Sequence, residues 1–210
     1  MSDRSTYKFT IQNKDVRTTV VSTGSELDKS LGKLLSTIGA ERHMKRLVGI
    51  NIQKVYTPLE SGKLRDKVAV LTLCSGLSCL VIHLLHFRTI PSSIAAFFEL
   101  PDISFVGVGI KHCVDALERD YGIGCRNAID LGQLVSINKE EPKLSALGLG
   151  DLAYEAGLFN VGVTAPGAAF SDWGADRLNS EQIKSATTTA FMAFLSGNRL
   201  LGGMLPSSVS

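Results

Sequence analysis

The sequence predicts an α/β fold, in which a sheet is backed by a helical portion. Strand-like apolar segments concentrate in the first half of the 210 residues, and helical spacing dominates after Ala128-Ile129-Asp130. A chain of this length fits one domain with a sizeable core. We therefore expect a single domain over residues 1–205, followed by a flexible tail at 206–210.

The elements are predicted in chain order from apolar periodicity and from capping or turn residues. The strands are predicted at 7–11, 17–21, 47–53 and 104–110, with a two-stranded hairpin over 68–87. Helices are predicted at 26–36 with Ser25 as cap, from Pro91 through Phe98, at 114–121 ending near Gly122, and at 131–135, 144–147, 149–157 and 180–196.

The apolar segment 68–87 is nearly long enough for a membrane helix. Its centre, Ser75-Gly76-Leu77-Ser78, is a turn sequence, and Val and Leu are frequent on both sides. Two buried strands joined by a tight turn fit this pattern better, so we expect no membrane span.

The bulk composition is ordinary, with 44% hydrophobic residues, 7% aromatic residues and a net charge of +2. Such a balance does not demand a nucleic acid or a membrane surface as partner. The first residues lack the apolar core of a signal peptide, and the four cysteines lack zinc spacing. We expect reduced thiols in an intracellular protein, located in the cytoplasm, the nucleus or both.

The segment LVGINIQK, residues 47–54, poses a question because the amides Asn51 and Gln53 follow an apolar run at a spacing of two. Strand geometry places both side chains on one face. One reading is that the strand has ended at Ile50 and the amides are solvated. The other is that the pair stands where carboxylates would hold a metal ion.

Two further segments favour the second reading. The sequence FVGVGIKHCVDALERDY at 105–121 is typical of a strand followed by a helix. The sequence SDWGADRLNSEQIKSATTTAFMAF at 171–194 contains a helix capped by Asn179 or Ser180, with Glu181 in its first turn.

In this order the segments resemble the RNase D-like (DEDDy) superfamily of 3′-5′ exonucleases, most of all the Werner-syndrome exonuclease domains and their short stand-alone plant forms. FVGVGI, LERDYG, AIDL, GLGDLA, SDW and LNSEQIKSA stand in register over about residues 20–201. The resemblance implies an RNase H-like mixed sheet of the DnaQ/RNase D type flanked by helices, with a helix-rich C-terminal half.

The resemblance also implies two Mg²⁺ or Mn²⁺ ions held by four carboxylates, with a tyrosine near the last one. Here every catalytic position is substituted. Amides stand at the first two carboxylates, and the others carry a thiol or a hydroxyl. These positions are Asn51, Gln53, Cys113, Ser185 (for the tyrosine) and Thr189.

These side chains are poor ligands for hard divalent cations, which require anionic oxygen. We expect no functional catalytic residue, no metal and no cofactor. Asp115 is the nearest remaining carboxylate in the sequence, but it should point away from Cys113 along the helix. Cys113 beside His112 has a second reading as a reactive thiol, although a buried space-filling cysteine is more common.

Two classes of function remain open. In the first, the protein is an inactive exonuclease homologue that acts through a protein partner or an active paralogue, in a homo- or hetero-oligomer. In the second, it binds single-stranded nucleic acid weakly without cleaving it, through Lys54, Lys111 and His112. Weak residual exonuclease activity ranks below both. The apolar run 161–170 is either core or a docking patch.

Overall fold

The computed structural model of the protein describes residues 6–39, 45–158 and 171–202. Within these ranges it contains a seven-stranded sheet and six α-helices. The strands are β1 (Thr6–Ile11), β2 (Lys14–Val21), β3 (Leu47–Pro58), β4 (Leu64–Ser75), β5 (Ser78–His83), β6 (Ser104–Gly107) and β7 (Ala128–Asp130). The α-helices are α1 (Gly24–Thr37), α2 (Ser92–Phe98), α3 (Ile110–Tyr121), α4 (Leu131–Lys139), α5 (Leu149–Glu155) and α6 (Ser180–Leu200), and short 3₁₀ helices lie at Leu84–His86 and Pro142–Ala146.

The sheet is mixed, with the order β1-β2-β5-β4-β3-β6-β7. The pairs β2–β5, β3–β6 and β6–β7 are parallel, and the pairs β1–β2, β3–β4 and β4–β5 are antiparallel. Helices flank the sheet, so the predicted α/β class is confirmed. The segment 68–87 forms β4, a turn at Gly76 and β5, as expected. No helix in the described ranges is both long and apolar enough to span a membrane.

Each face of the sheet packs against a different helix. Leu27, Leu31 and Leu34 of α1 join the core on the face that carries Ile50. Phe191 and Phe194 of α6 belong to the core on the opposite face. Burial of these large apolar side chains stabilises both layers by roughly 1.5–3 kcal/mol per side chain.

Gly49 allows α6 to approach β3 closely. A Cβ atom at Gly49 would lie 2.1 Å from the Ala190 carbonyl oxygen and 2.6 Å from the Phe194 amide nitrogen. Farther along α6, a Cβ atom at Gly197 would lie 2.9 Å from the Leu47 side chain. The two glycines therefore determine how deeply α6 lies on the sheet.

Several predicted boundaries are wrong. The strand predicted to end at Gln53 continues to Pro58 because its pairing with β4 resumes after a register shift at Gln53/Lys54 and runs to Pro58. The predicted strand 104–110 ends at Gly107, and Ile110 is already helical. The N-cap of α1 is Thr23 and not Ser25. The Thr23 hydroxyl accepts a hydrogen bond from the Glu26 amide. The segments 161–170 and 206–210 lie outside the described residues.

The expectation of four reduced thiols is also wrong. Cys74 is the last residue but one of β4, Cys79 is the second residue of β5, and a disulfide joins them. They are directly opposite in the hairpin, with Cα atoms 4.2 Å apart, so hairpin register alone brings the two thiols together. Cys113 and Cys125 are free.

The end of α3 closes one side of β4. The Asp120 carboxylate accepts a hydrogen bond from the Val68 amide at 2.8 Å, and the Tyr121 hydroxyl donates to the Val68 carbonyl oxygen. Burial raises the pKa of Tyr121 to about 12, so this hydroxyl keeps its proton at physiological pH. Both backbone groups of Val68 that β5 does not reach are thus satisfied.

Candidate functional site

Strand β3 places Asn51 and Gln53 in the middle of the sheet. They share a face with Gly49, which lies under α6, because side chains alternate along a strand. Opposite them on β4 are Thr72 and Val70. The strand therefore does not end at Ile50, as one of the two readings required, and the two amide residues are half-buried within it.

Helix α6 begins at a complete capping box. The Asn179 side chain accepts from the Gln182 amide, and the Gln182 side chain accepts from the Asn179 amide, both at 2.9 Å. Gln182 also donates to the backbone carbonyl oxygen of Asp172 at 2.9 Å. These bonds set the start of α6, which the sequence had left open between Asn179 and Ser180.

The contacts of α6 place its middle beside the amides of β3. Gly197 lies at Leu47 and Ala190 lies at Gly49, so helix and strand proceed in opposite directions. At about 1.5 Å per helical residue and about 3.3 Å per strand residue, the stretch 185–189 lies level with the stretch 51–53. Ser185 is buried, and the Thr189 hydroxyl donates to the Ser185 carbonyl oxygen at 3.0 Å.

Cys113 approaches the same part of β3 from α3. It lies in the first turn of α3, and its thiol is hydrogen-bonded to the backbone of Ile52, between the two amides. Burial raises the pKa of the Cys113 thiol, while Lys54 acts in the opposite direction. The thiol is therefore neutral near pH 7, which counts against the reading of a reactive cysteine.

Asp130 is the carboxylate that acts electrostatically on Cys113. Its two oxygens cap two helices. Oδ1 accepts from the Gly132 and Gln133 amides at 2.9 and 3.3 Å, and Oδ2 accepts from the Ile110 amide at 3.0 Å. Asp130 is thus committed to structure, and sequence reasoning missed it as a neighbour of the site.

Asp115, which the sequence suggested as the nearest carboxylate, points elsewhere. It is exposed and forms an ion pair with Lys111 at 2.7 Å. The described residues contain no group of three or more His, Cys, Asp or Glu side chains that could hold a metal ion. The donor set of two amides, a protonated thiol and two hydroxyls is neutral and does not fit a pair of divalent cations.

Two buried polar atoms on this face lack a hydrogen-bond partner among the described residues. They are Asn51 Nδ2 and Thr72 Oγ1, which belong to directly opposed residues of β3 and β4. A buried donor or acceptor without a partner costs about 1–3 kcal/mol. The part of this face around Asn51 and Thr72 is therefore polar and uncharged, although the apolar core lies beside it. No motif in the sequence marked Thr72 as part of the site.

Both lysines among the three candidate contacts for nucleic acid are paired with carboxylates. Lys54 Nζ bonds to Asp66 Oδ2 at 2.7 Å, and this bond holds the pKa of Asp66 below its usual value. Lys111 is paired with Asp115. His112 is exposed at the start of α3. Both lysines among the three candidates are thus compensated by carboxylates within the protein.

Both sequence relatives described below are named as 3'-5' exonuclease proteins. No protein-family model matches the chain. A "3'-5' exonuclease" of Arabidopsis thaliana is 28% identical over 116 residues, which are 54% of this chain and 40% of that protein. The "Exonuclease 3'-5' domain-containing protein 2" of Drosophila melanogaster is 29% identical over 147 residues, 69% of this chain and 24% of that protein. The chain thus aligns with less than half the length of either relative.

Solved structures share the fold. The EXD2 exonuclease domain matches with a TM-score of 0.50 and 24% identity, over 88% of this chain and 89% of that chain. The catalytic core of RRP6 from Trypanosoma brucei matches with a TM-score of 0.65 and 16% identity, over 92% of this chain and 55% of that chain.

The fold is therefore the RNase H-like fold of 3′-5′ exonuclease domains. Together with the sequence relatives, it supports the predicted resemblance to the RNase D-like (DEDDy) exonuclease superfamily. The narrower placement beside the Werner-type domains stays a prediction.

Proposed function

We propose that this protein is a pseudo-exonuclease, in which an exonuclease fold acts by binding rather than by cleavage. Its action is regulation through a protein partner or an active paralogue, in the cytoplasm or the nucleus. The observation that carries the proposal is a set of neutral side chains at the five positions that the resemblance aligns with the catalytic groups of the superfamily. These residues are Asn51, Gln53, Cys113, Ser185 and Thr189.

The chemistry of metal binding supports this proposal. Two divalent cations at about 4 Å repel each other strongly unless anionic ligands compensate their charge. Amide and hydroxyl oxygens offer no such compensation, and the raised pKa keeps Cys113 protonated. Loss of the water-orienting tyrosine alone costs a factor on the order of 10² to 10⁴.

A non-cleaving binder of single-stranded nucleic acid is the alternative function. The fold and the sequence relatives favour it, because exonuclease domains act on nucleic acid. The pairing of Lys54 with Asp66 and of Lys111 with Asp115 argues against it, since such binders use basic grooves and aromatic stacking. Weak metal-dependent exonuclease activity is the second alternative.

The deciding experiment compares the native chain with a variant in which all five positions are restored. The substitutions are Asn51→Asp, Gln53→Glu, Cys113→Asp, Ser185→Tyr and Thr189→Asp. Both proteins are incubated with labelled single-stranded and recessed-end DNA in Mg²⁺ and in Mn²⁺. Because Ser185 is buried, a second variant omits the tyrosine and restores only the carboxylates.

We expect no cleavage by the native chain and Mn²⁺ binding by the carboxylate variant, measured calorimetrically. Melting temperatures establish that each variant is folded. Chelator-sensitive cleavage by the native chain, abolished by Gln53→Ala, would overturn the proposal. Fluorescence anisotropy with the same single strands separates the two binding functions: saturable, salt-sensitive binding favours the nucleic-acid alternative over protein interaction.

A further inference from the structure

A pocket lies on the face of the sheet that does not carry α6. The Thr18 hydroxyl bonds to the Thr187 hydroxyl of α6 at 3.0 Å, so its neighbours Arg17 and Thr19 point to the other face. There, β1, β2 and β5 form the floor of a pocket of about 310 Å³, and α1 forms its wall. This volume is at the lower end of the range for ligand sites, about 300 to 1,000 Å³, and suits a small ligand.

The charge of this pocket is positive. Arg17 enters from β2 and Lys33 from α1, and the described lining residues include no carboxylate. Neither cation forms an ion pair within the described part of the chain. Asp15, two residues before Arg17, is already bound by Lys8 at 2.6 Å and by Thr10 at 2.9 Å.

Hydroxyl groups complete the lining. Thr6 and Thr19 are directly opposed across β1 and β2, and Ser78 is level with Arg17 on β5. Together with Ser30 of α1, they provide four hydroxyls that form no hydrogen bond to another described residue. Ser36 and Thr37 also line the pocket, but they donate to backbone carbonyl oxygens of α1.

The carbonyl end of α1 faces this side and disfavours an anion. Two uncompensated cations and four free hydroxyl donors favour an anion, and their backbones are held in place by the sheet and the helix. The oxygen atoms of a phosphate group accept such hydrogen bonds, and arginine matches their geometry.

We propose that this pocket binds the phosphate group of a small phosphorylated molecule, with Arg17 and Lys33 as its charged contacts. The site is separate from the face under α6 and does not depend on whether that face cleaves nucleic acid. The proposal stands or falls independently of the proposed function.

The test is a titration of the full chain with inorganic phosphate and with pyrophosphate at constant ionic strength, followed by amide chemical shifts. We expect saturable shifts around Arg17, Lys33 and Ser78, with a dissociation constant on the order of 1 mM or lower. Arg17→Gln and Lys33→Gln should each weaken binding by roughly tenfold or more, because each removes a charged hydrogen bond.

Lys29→Gln is the matched control, since Lys29 is an exposed lysine of α1 outside the pocket lining. It should bind phosphate as the native chain does. Shifts that rise linearly without saturation, or equal affinity in the Arg17→Gln, Lys33→Gln and control proteins, would overturn the proposal. Binding of the nucleoside monophosphate AMP tighter than that of pyrophosphate would support a nucleotide as the phosphorylated molecule.

Discussion

Substitution of Gly49 by alanine is the most direct test of how α6 lies on β3. The added Cβ atom would lie 2.1 Å from the Ala190 carbonyl oxygen and 2.9 Å from the Phe194 Cβ atom. Ordinary van der Waals contact begins at 3.4 Å, and two of the three nearest atoms belong to the helix backbone. A rotamer change cannot relieve this overlap, so α6 as a whole must move.

The cost of such overpacking is typically 1–3 kcal/mol and occasionally more. We expect about 3 kcal/mol or more for Gly49→Ala, because the clash involves rigid backbone. For a protein of this size, 1 kcal/mol corresponds to roughly 2–4 °C in melting temperature. The melting temperature should therefore fall by about 6–12 °C.

Gly32→Ala is the matched control. Gly32 is exposed in α1, and a Cβ atom there would meet nothing within 4 Å. Alanine is favoured over glycine in a helix by about 0.8–1 kcal/mol, so this variant should be slightly more stable than the native chain. Urea unfolding followed by circular dichroism measures both variants. A Gly49→Ala protein as stable as the native chain would refute the described close packing of α6 against β3.

Three further predictions concern protonation and the closed side of β4. Burial lowers the pKa of His83 from 6.5 to about 4. Between these pH values the imidazole is protonated in the unfolded chain and neutral in the folded chain. The free energy of unfolding should fall by up to about 3 kcal/mol between pH 6.5 and pH 4, and His83→Phe should flatten that slope. Burial raises the pKa of Cys125 to about 11, so it should react with iodoacetamide at pH 8 roughly a hundredfold more slowly than in the unfolded chain. Burial also raises the pKa of Cys113, so this thiol too should react more slowly in the folded chain than in the unfolded one. Asp120→Ala should cost about 1–3 kcal/mol because the Val68 amide loses its acceptor, and Asp120→Asn should cost less.

Urea titrations at several pH values check the histidine prediction, and equal pH slopes in the native chain and in His83→Phe would contradict it. Mass spectrometry of alkylated peptides checks the cysteine prediction, which rapid labelling of Cys113 in the folded chain would contradict. For Asp120, equal stability of the alanine and asparagine variants would show that the hydrogen bond to β4 contributes little.

Local patterns were sufficient to predict much of the fold. The apolar run before Asn51 predicts a buried strand, Gly122 ends α3 in the left-handed conformation, and Asn179 caps α6. Each of these features depends on a few consecutive residues. The hairpin over 68–87 was predictable for the same reason, because its turn residues interrupt two runs of strand formers.

Features that depend on register were not predicted. The partner of Lys54 is Asp66, twelve residues away across the β3–β4 hairpin. The residue directly opposite Asn51 on β4 is Thr72, and no sequence motif marks it. The disulfide was within reach of sequence reasoning, because Cys74 and Cys79 stand symmetrically about the predicted turn and must face each other once the hairpin forms.

The manner in which α3 closes β4 at Val68 also bears on self-association. An open strand presents rows of amides and carbonyls that can template the addition of a strand from another chain. At Val68 these groups are already bonded to Asp120 and Tyr121 of the same chain. Intermolecular strand addition there would first have to break two side-chain hydrogen bonds. The end of α3 thus occupies the backbone groups of β4 that its neighbouring strand β5 leaves open at Val68.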